Sequence, residues 1–320
     1  LESSIETIRL SRRTFELLPV ERIMLTTALV AEAAGIALAT ALQRNVNWPP
    51  MLLGFAIGLA LIALGAFVRG TRGSSRVALA MVGLGSFFAF TSASPIVIFS
   101  LMPLTNPMVD DWLTWSGHLV GYDWHSLINH MLDYPVILRA LGYVYQSSIF
   151  QLMLTVCFLA ALNRALSVHR FMLVGMFSLA VTVAIWWVFP SVGYVGALDV
   201  PAEVLRERGY HYGTDRGGFL TQLLTEGPAR ISPETVTGVV GFPSYHMVMC
   251  CLVVWFLRAT VLFVPALILN LAMIPATLIH GGHHLLDIPG GVAVFALCVW
   301  FVSRFLAPGD ELEPVRTSGS

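Results

Sequence analysis

Gly241-Phe242-Pro243-Ser244-Tyr245-His246 and His280-Gly281-Gly282-His283-His284-Leu285-Leu286-Asp287-Ile288-Pro289-Gly290-Gly291 are two polar knots in an aliphatic stretch, and their separation decides the fold. Pro243 suits the first position of a helix, where a missing N–H costs nothing, and the chain then stays apolar to Leu257 before meeting Arg258. A second apolar run, Val261 to Ile279, returns across the membrane. Gly281-Gly282 ends it, and His283 opens a third run that continues to about Phe305. One unbroken helix over 244 to 279 would hold its ends roughly 54 Å apart at 1.5 Å per residue, and no shared site would form. A turn near Arg258 instead brings both knots to one membrane side, with His246 facing His283 and Asp287.

The residue types in the knots suit phosphoryl transfer. His283 and Asp287 are four apart at the start of a helix, on one face. The carboxylate there accepts the imidazole N–H, fixes its tautomer and stabilises the cation formed on attack. His283 is therefore the candidate nucleophile. His246, on a separate helix, is the candidate acid and base: it protonates the leaving oxygen and then activates an incoming water or alcohol. The free N–H groups of the first turn after Pro243, with the Ser244 hydroxyl, form an anion cradle that suits a phosphate and needs no metal or other cofactor. Two rival readings exist. His280, His283 and His284, at i, i+3 and i+4, suit zinc or haem ligation in a membrane redox protein, although Gly281-Gly282 interrupts that face. The other rival is a non-catalytic transporter or receptor on the same fold.

Pro243-Ser244-x-His246 and His283-x-x-x-Asp287 followed by Gly291 resemble, in order and sense, the second and third motifs of the phosphatidic acid phosphatase type 2 superfamily. Gly121-Tyr122-Asp123-Trp124 and Tyr145-x-Ser147-x-x-x-Gln151 look like its membrane branch, which includes inositol phosphorylceramide synthases. The resemblance spans about residues 105 to 305. It implies a phosphohistidine on His283, oriented by Asp287, with His246 as the acid, and hence a lipid phosphatase or a phosphotransferase that passes a phospho-headgroup to a lipid alcohol. Two positions depart from it. Thr277 stands where the larger family has Arg, and the Lys-x6-Arg-Pro first motif is absent: the chain has no Lys, and the surroundings of Phe189-Pro190 carry no cation.

The composition agrees with a membrane setting. With 320 residues, 56% hydrophobic, 12% charged and a mean hydropathy of +0.76, the chain reads as an all-α polytopic membrane protein. Its net charge of -1 indicates no nucleic-acid partner. The implied partners are a lipid substrate and the bilayer; oligomeric state is not legible. Cys157, Cys250, Cys251 and Cys298 all fall in apolar runs, so no disulfide is expected. About eight transmembrane helices are predicted, near 23 to 42, 51 to 68, 77 to 101, 142 to 163, 169 to 189, 244 to 258, 261 to 279 and 284 to 305. Residues 1–22 form an amphipathic segment and no signal peptide, and 23–76 supply two accessory helices. Residues 77–306 form a six-helix phosphatase or phosphotransferase core, with outer interfacial helices in 102–141 and a long outer loop at 190–243. The last stretch, 307–320, reads as a disordered tail.

All 18 basic residues are Arg. With the N-terminus inside, twelve of these eighteen fall on cytoplasmic segments, which places both knots on the non-cytoplasmic side of what reads as a bacterial inner membrane. The acids and histidines of 102–141 read as solvated, with Trp112, Trp115 and Trp124 as interfacial anchors. Tyr145, Ser147 and Gln151 either line the site, with Tyr145 against substrate, or bond between helices. The outer loop supplies the missing cation, and Arg216 is the first candidate because Gly217-Gly218 lets backbone approach a ligand.

Overall fold

The computed structural model describes residues 15–72, 74–194, 198, 200–210 and 216–306; residues 1–14 of the amphipathic segment and the 307–320 tail lie outside that range. Thirteen helices are present among the described residues. The first three are α1 (Pro19–Ala41), α2 (Trp48–Arg72) and α3 (Ser75–Ser100). Next come α4 (Asp110–His118), α5 (Trp124–Met131), α6 (Pro135–Gln146), α7 (Ser148–Ala161) and α8 (Ala165–Val188). Two short helices, α9 (Ala202–Arg208) and α10 (Arg216–Glu226), lie in the outer loop, ahead of α11 (Tyr245–Leu257), α12 (Phe263–His280) and α13 (Asp287–Phe305).

The chain is an all-α polytopic membrane protein, but with fewer full spans than the eight predicted. Among the described residues six helices are long and apolar enough to cross: α1, α2, α3, α8, α12 and α13. A seventh crossing arises only if α6 and α7 count together, and they bend by 50° at Ser147. The predicted 244 to 258 span is corrected to α11, 13 residues long. That is roughly 20 Å of helix against a hydrocarbon core of about 30 Å.

The main core joins α1, α3, α7, α8, α11 and α13 through residues such as Met24, Phe90, Val156, Val174, Leu252 and Phe295. Against it, α2 lies along α3 almost backbone to backbone. A Cβ added at Gly85 would sit 2.6 Å from the Gly58 carbonyl oxygen, so small residues set this contact, as is usual between helices in lipid.

Cross-links fix which helix ends share a side. At one end Ser75 Oγ donates to Asn163 Oδ1 (3.1 Å), Arg164 to the Ala259 carbonyl (2.9 Å) and Arg170 Nε to the Leu306 carbonyl (3.0 Å). The same end holds a buried charge cluster: Arg69 on α2 pairs through both terminal nitrogens with Glu21 on α1, and His169 Nε2 on α8 lies 3.4 Å from the Glu21 carboxylate. The opposite end carries both polar knots. There Ile231, in the outer loop, donates to the Asn45 carbonyl (2.8 Å) and accepts from the Asn47 N–H (2.9 Å), which ties the loop to the α1–α2 turn.

Candidate active site

The third knot-bearing run does not open as a helix at His283. Gly282 takes a positive φ of 65°, the chain runs irregularly through His283 and His284, and α13 begins only at Asp287. The expected shared helix face is therefore replaced by a turn, with the Asp287 side chain folded back over it. Asp287 Oδ2 accepts from His283 Nδ1 at 2.8 Å and from the His284 backbone N–H at 2.9 Å. With Nδ1–H committed to the carboxylate, the Nε2 lone pair of His283 points away from Asp287.

That lone pair faces the other knot. Pro243 is not the first helical residue: Ser244 is the N-cap and Tyr245 the first, so the proline precedes the cap. Ser244 Oγ makes no cap bond to its own helix and lies 3.5 Å from His283 Nε2. The Ser244 N–H donates to the Asp287 carbonyl at 3.1 Å, which docks the start of α11 onto the start of α13. Gly291 permits this approach, because a Cβ there would lie 2.2 Å from the Ser244 carbonyl oxygen. The His246 and His283 rings meet edge to face with centroids 6.2 Å apart. Tyr145 stacks on the His246 ring at 4.2 Å with an interplanar angle of 22°. His283, Asp287 and Ser244 are all buried and His246 is half-buried, so the His283 side of the site is shielded from water.

A second His–carboxylate pair sits beside the first, and the sequence reading missed it. Asp110, expected to be solvated, is buried at the start of α4 and accepts from His284 Nε2 at 3.0 Å. It also accepts from Ser191 Oγ at 2.8 Å and from the Gly193 N–H at 3.0 Å. The cause is the path of the chain after α8, which turns back over α4 and places a row of donors around one carboxylate. Other residues of 102–141 are equally engaged. Tyr122 donates to the His283 carbonyl (3.3 Å), Trp124 Nε1 to the Leu278 carbonyl (2.9 Å), and Asp123 caps α5 by accepting from the Ser126 N–H (2.7 Å). Hydrogen bonding from the Ser126 side chain, and then from its backbone N–H, holds the Asp123 carboxyl below its usual range. Tyr194, ring to ring with His284 at 4.6 Å, has its hydroxyl pushed up to about 12, mainly by burial. For Tyr122 and Trp124 the signal in the sequence was the cluster of aromatic and acidic residues in a stretch too polar to span.

The three clustered histidines diverge. His280 Nε2 donates to the Leu138 carbonyl at 2.9 Å while His283 turns to Asp287 and His284 to Asp110, so they do not converge as one ligand set. Among the described residues no group of three or more His, Cys, Asp or Glu is placed to hold a metal ion. Gln151 bonds between helices, accepting from Asn270 Nδ2 at 2.8 Å. Thr277 is buried, and its hydroxyl has no hydrogen-bond partner among the described residues. Of the outer arginines, Arg139 and Arg206 bond to carbonyls of their own helices and Arg208 to the Leu132 carbonyl. Arg216 opens α10, but its side chain lies outside the described residues.

A family model described as the PAP2 superfamily matches residues 111–301, more than half of the chain. The chain belongs to the PAP2 superfamily. Neither a curated protein nor a solved structure matches it. The PAP2 match takes in His246, His283 and Asp287 and begins one residue after Asp110, while α1, α2 and α3 all precede it. With its apolar helices the PAP2 assignment makes this a membrane phosphatase-type fold.

Proposed function

We propose that this protein is an integral membrane lipid phosphatase or phosphotransferase that works through a phosphohistidine on His283. The observation that carries the reading is the orientation of His283: Nδ1 is bound by Asp287 at 2.8 Å, and Nε2 faces Ser244 and the open end of α11. In the first half-reaction the Nε2 lone pair bonds to phosphorus, the P–O bond to the lipid alcohol breaks, and protonated His246 gives its proton to the departing alkoxide. Asp287 stabilises the imidazolium that forms, and the first-turn N–H groups of α11 hold the phosphoryl oxygens. In the second half-reaction an acceptor gives its proton to His246 as its oxygen bonds to phosphorus and the N–P bond breaks. Water as acceptor releases phosphate; an alcohol gives a new phosphodiester when the donor is itself a diester.

A transferase of the inositol phosphorylceramide synthase kind is favoured by the resemblance of Gly121-Tyr122-Asp123-Trp124 and by Tyr145, which lies against the acid/base His246. The sides of the membrane follow from charge. Arg69, Arg76, Arg164, Arg170 and Arg258 lie toward the end remote from the knots, so the positive-inside rule puts the site on the non-cytoplasmic face, in a bacterium the outer face of the inner membrane. Arg216 remains the proposed source of the phosphate's counter-charge.

The test is purified protein with labelled phospholipid donors, with and without candidate alcohols, quenched rapidly and scored for acid-labile phosphohistidine, free phosphate and new phosphodiester. Label on His283 together with either product supports the reading. Turnover without any acid-labile label refutes it.

A further inference from the structure

A cavity of about 570 Å³ lies among α3, α7, α8 and α11, and His246 and Tyr145 form part of its wall. The volume falls in the range of small-molecule sites. The rest of the wall is mostly apolar: Phe87 and Phe90 come from α3, Leu152 from α7 and Met172 from α8. Ile149 at its rim is more than half exposed on the outside of the bundle, so the cavity reaches the surface that meets lipid. His283 is not among its lining residues; the cavity touches only the acid/base member of the pair.

Resting on the phosphoryl-transfer reading above, we propose that this cavity binds the hydrocarbon of the membrane alcohol that leaves in the first half-reaction and, for a transferase, of the alcohol that accepts in the second. In-line displacement places the leaving oxygen across phosphorus from the attacking nitrogen, where it meets His246, and His246 is itself part of the cavity wall. An alcohol whose oxygen meets His246 there has its chain in the cavity. A sugar or inositol would find few partners in such a wall, whereas an alkyl or acyl chain buries about 0.8 kcal/mol per methylene. Because both alcohols meet the same imidazole, they use the cavity in turn, and the first must depart before the second enters. Selectivity for chain length then depends in part on α3, a helix outside the superfamily match.

Gly175 allows a clean test. It lines the cavity, and an added Cβ would meet nothing closer than 3.6 Å, so larger residues grow into space without a clash at the backbone. The full chain in nanodiscs, wild type and Gly175→Ala, Gly175→Val and Gly175→Leu, is assayed in two arms. Saturable binding of radiolabelled hexadecanol should weaken along the series, by about tenfold or more at Leu. The ratio of kcat/KM for dioleoyl phosphatidate over p-nitrophenyl phosphate should fall in parallel. Leu154→Trp, on the lipid-facing side of α7, is the control and should change neither. Equal hexadecanol binding across a series that unfolds like wild type would overturn the cavity assignment. Graded binding without turnover of either phosphate or of labelled phospholipid diesters would sustain it and sink the phosphoryl-transfer reading instead.

Discussion

Asp110 and His284 stand 174 residues apart in the chain and meet at 3.0 Å in the interior, next to the turn that holds His283. The Asp110 carboxylate is also the acceptor for Ser191 and for the Gly193 N–H, so it joins three segments that meet again where the Val109 N–H donates to the Pro190 carbonyl and the Tyr194 N–H to the Gly282 carbonyl. Removing one member of such a buried pair typically costs about 3–5 kcal/mol. Asp110→Ala should therefore lower unfolding stability in detergent by that order. Asp110→Asn keeps one acceptor oxygen and should lose less. A loss below about 1 kcal/mol for the alanine variant would mean the pair is a surface-grade contact after all.

The two site histidines should separate by donor. His283→Ala should abolish turnover of every phosphate ester, since no N–P bond can form. His246→Ala should lower lipid turnover by roughly 10²–10⁴-fold, the usual worth of a general acid, yet still become phosphorylated by an activated aryl phosphate and then stall. Asp287→Asn should fall between. Rapid-quench detection of acid-labile phosphate in each variant decides. Label on the His283→Ala protein would overturn the assignment.

Gly291→Ala should act through geometry alone. Its new Cβ would lie 2.2 Å from the Ser244 carbonyl oxygen, so α13 must shift away from α11 and carry Asp287 with it. A misplacement of about 1 Å at a catalytic group is enough for a loss of about 10²-fold. Gly290→Ala, whose Cβ would meet only side-chain atoms of Phe242 and Pro243 at 3.0 Å and beyond, should be milder in the same turnover assay.

At the remote end, Arg69→Met should destabilise the protein by about 3–5 kcal/mol, because it leaves the buried Glu21 carboxylate with only His169 and the Leu18 N–H beside it. Adding Glu21→Leu to that variant should restore much of the loss, since an apolar pair of similar volume needs no charge partner. Additive losses in thermal unfolding would contradict this account.

Sidedness is checked by single cysteines in a cysteine-free background. Glu203→Cys, exposed on α9, should react with an impermeant maleimide in intact cells, and Arg258→Cys, exposed beyond α11, only after permeabilisation. The reverse pattern would invert the proposed topology.

What was legible in the sequence was what depends on local pattern. The apolar runs gave the helical class, and the turn near Arg258 that lets His246 meet His283 follows from the break between two hydrophobic segments. Spacing alone misjudged the local geometry, because His283 and Asp287 four apart suggest one helical face, yet Gly282 at positive φ starts a turn that the carboxylate then closes. Pro243 was misplaced by two residues for a similar reason. The helix waits for Tyr245, since the Ser244 N–H is engaged by Asp287 from another segment. Asp110 was beyond reach: its burial depends on donors contributed by Ser191 and Gly193, and nothing near it in sequence distinguishes it from the solvated Asp111. The predicted 244 to 258 span failed on length, as hydropathy cannot separate a 13-residue buried helix from a crossing one.

The pairing of Ile231 with Asn45 and Asn47 bears on how such chains can be rearranged. The outer loop is sewn at that point to the turn between the first two helices, and those helices are locked to α8 at the other face by Glu21, Arg69 and His169. They are thus not an interchangeable cassette. A chimera that swaps residues 1 to 76 for another chain's anchor would inherit a roof with one eave unfastened, and grafting the N-terminal pair onto a foreign catalytic half would work only if the seam at Ile231 travelled with it.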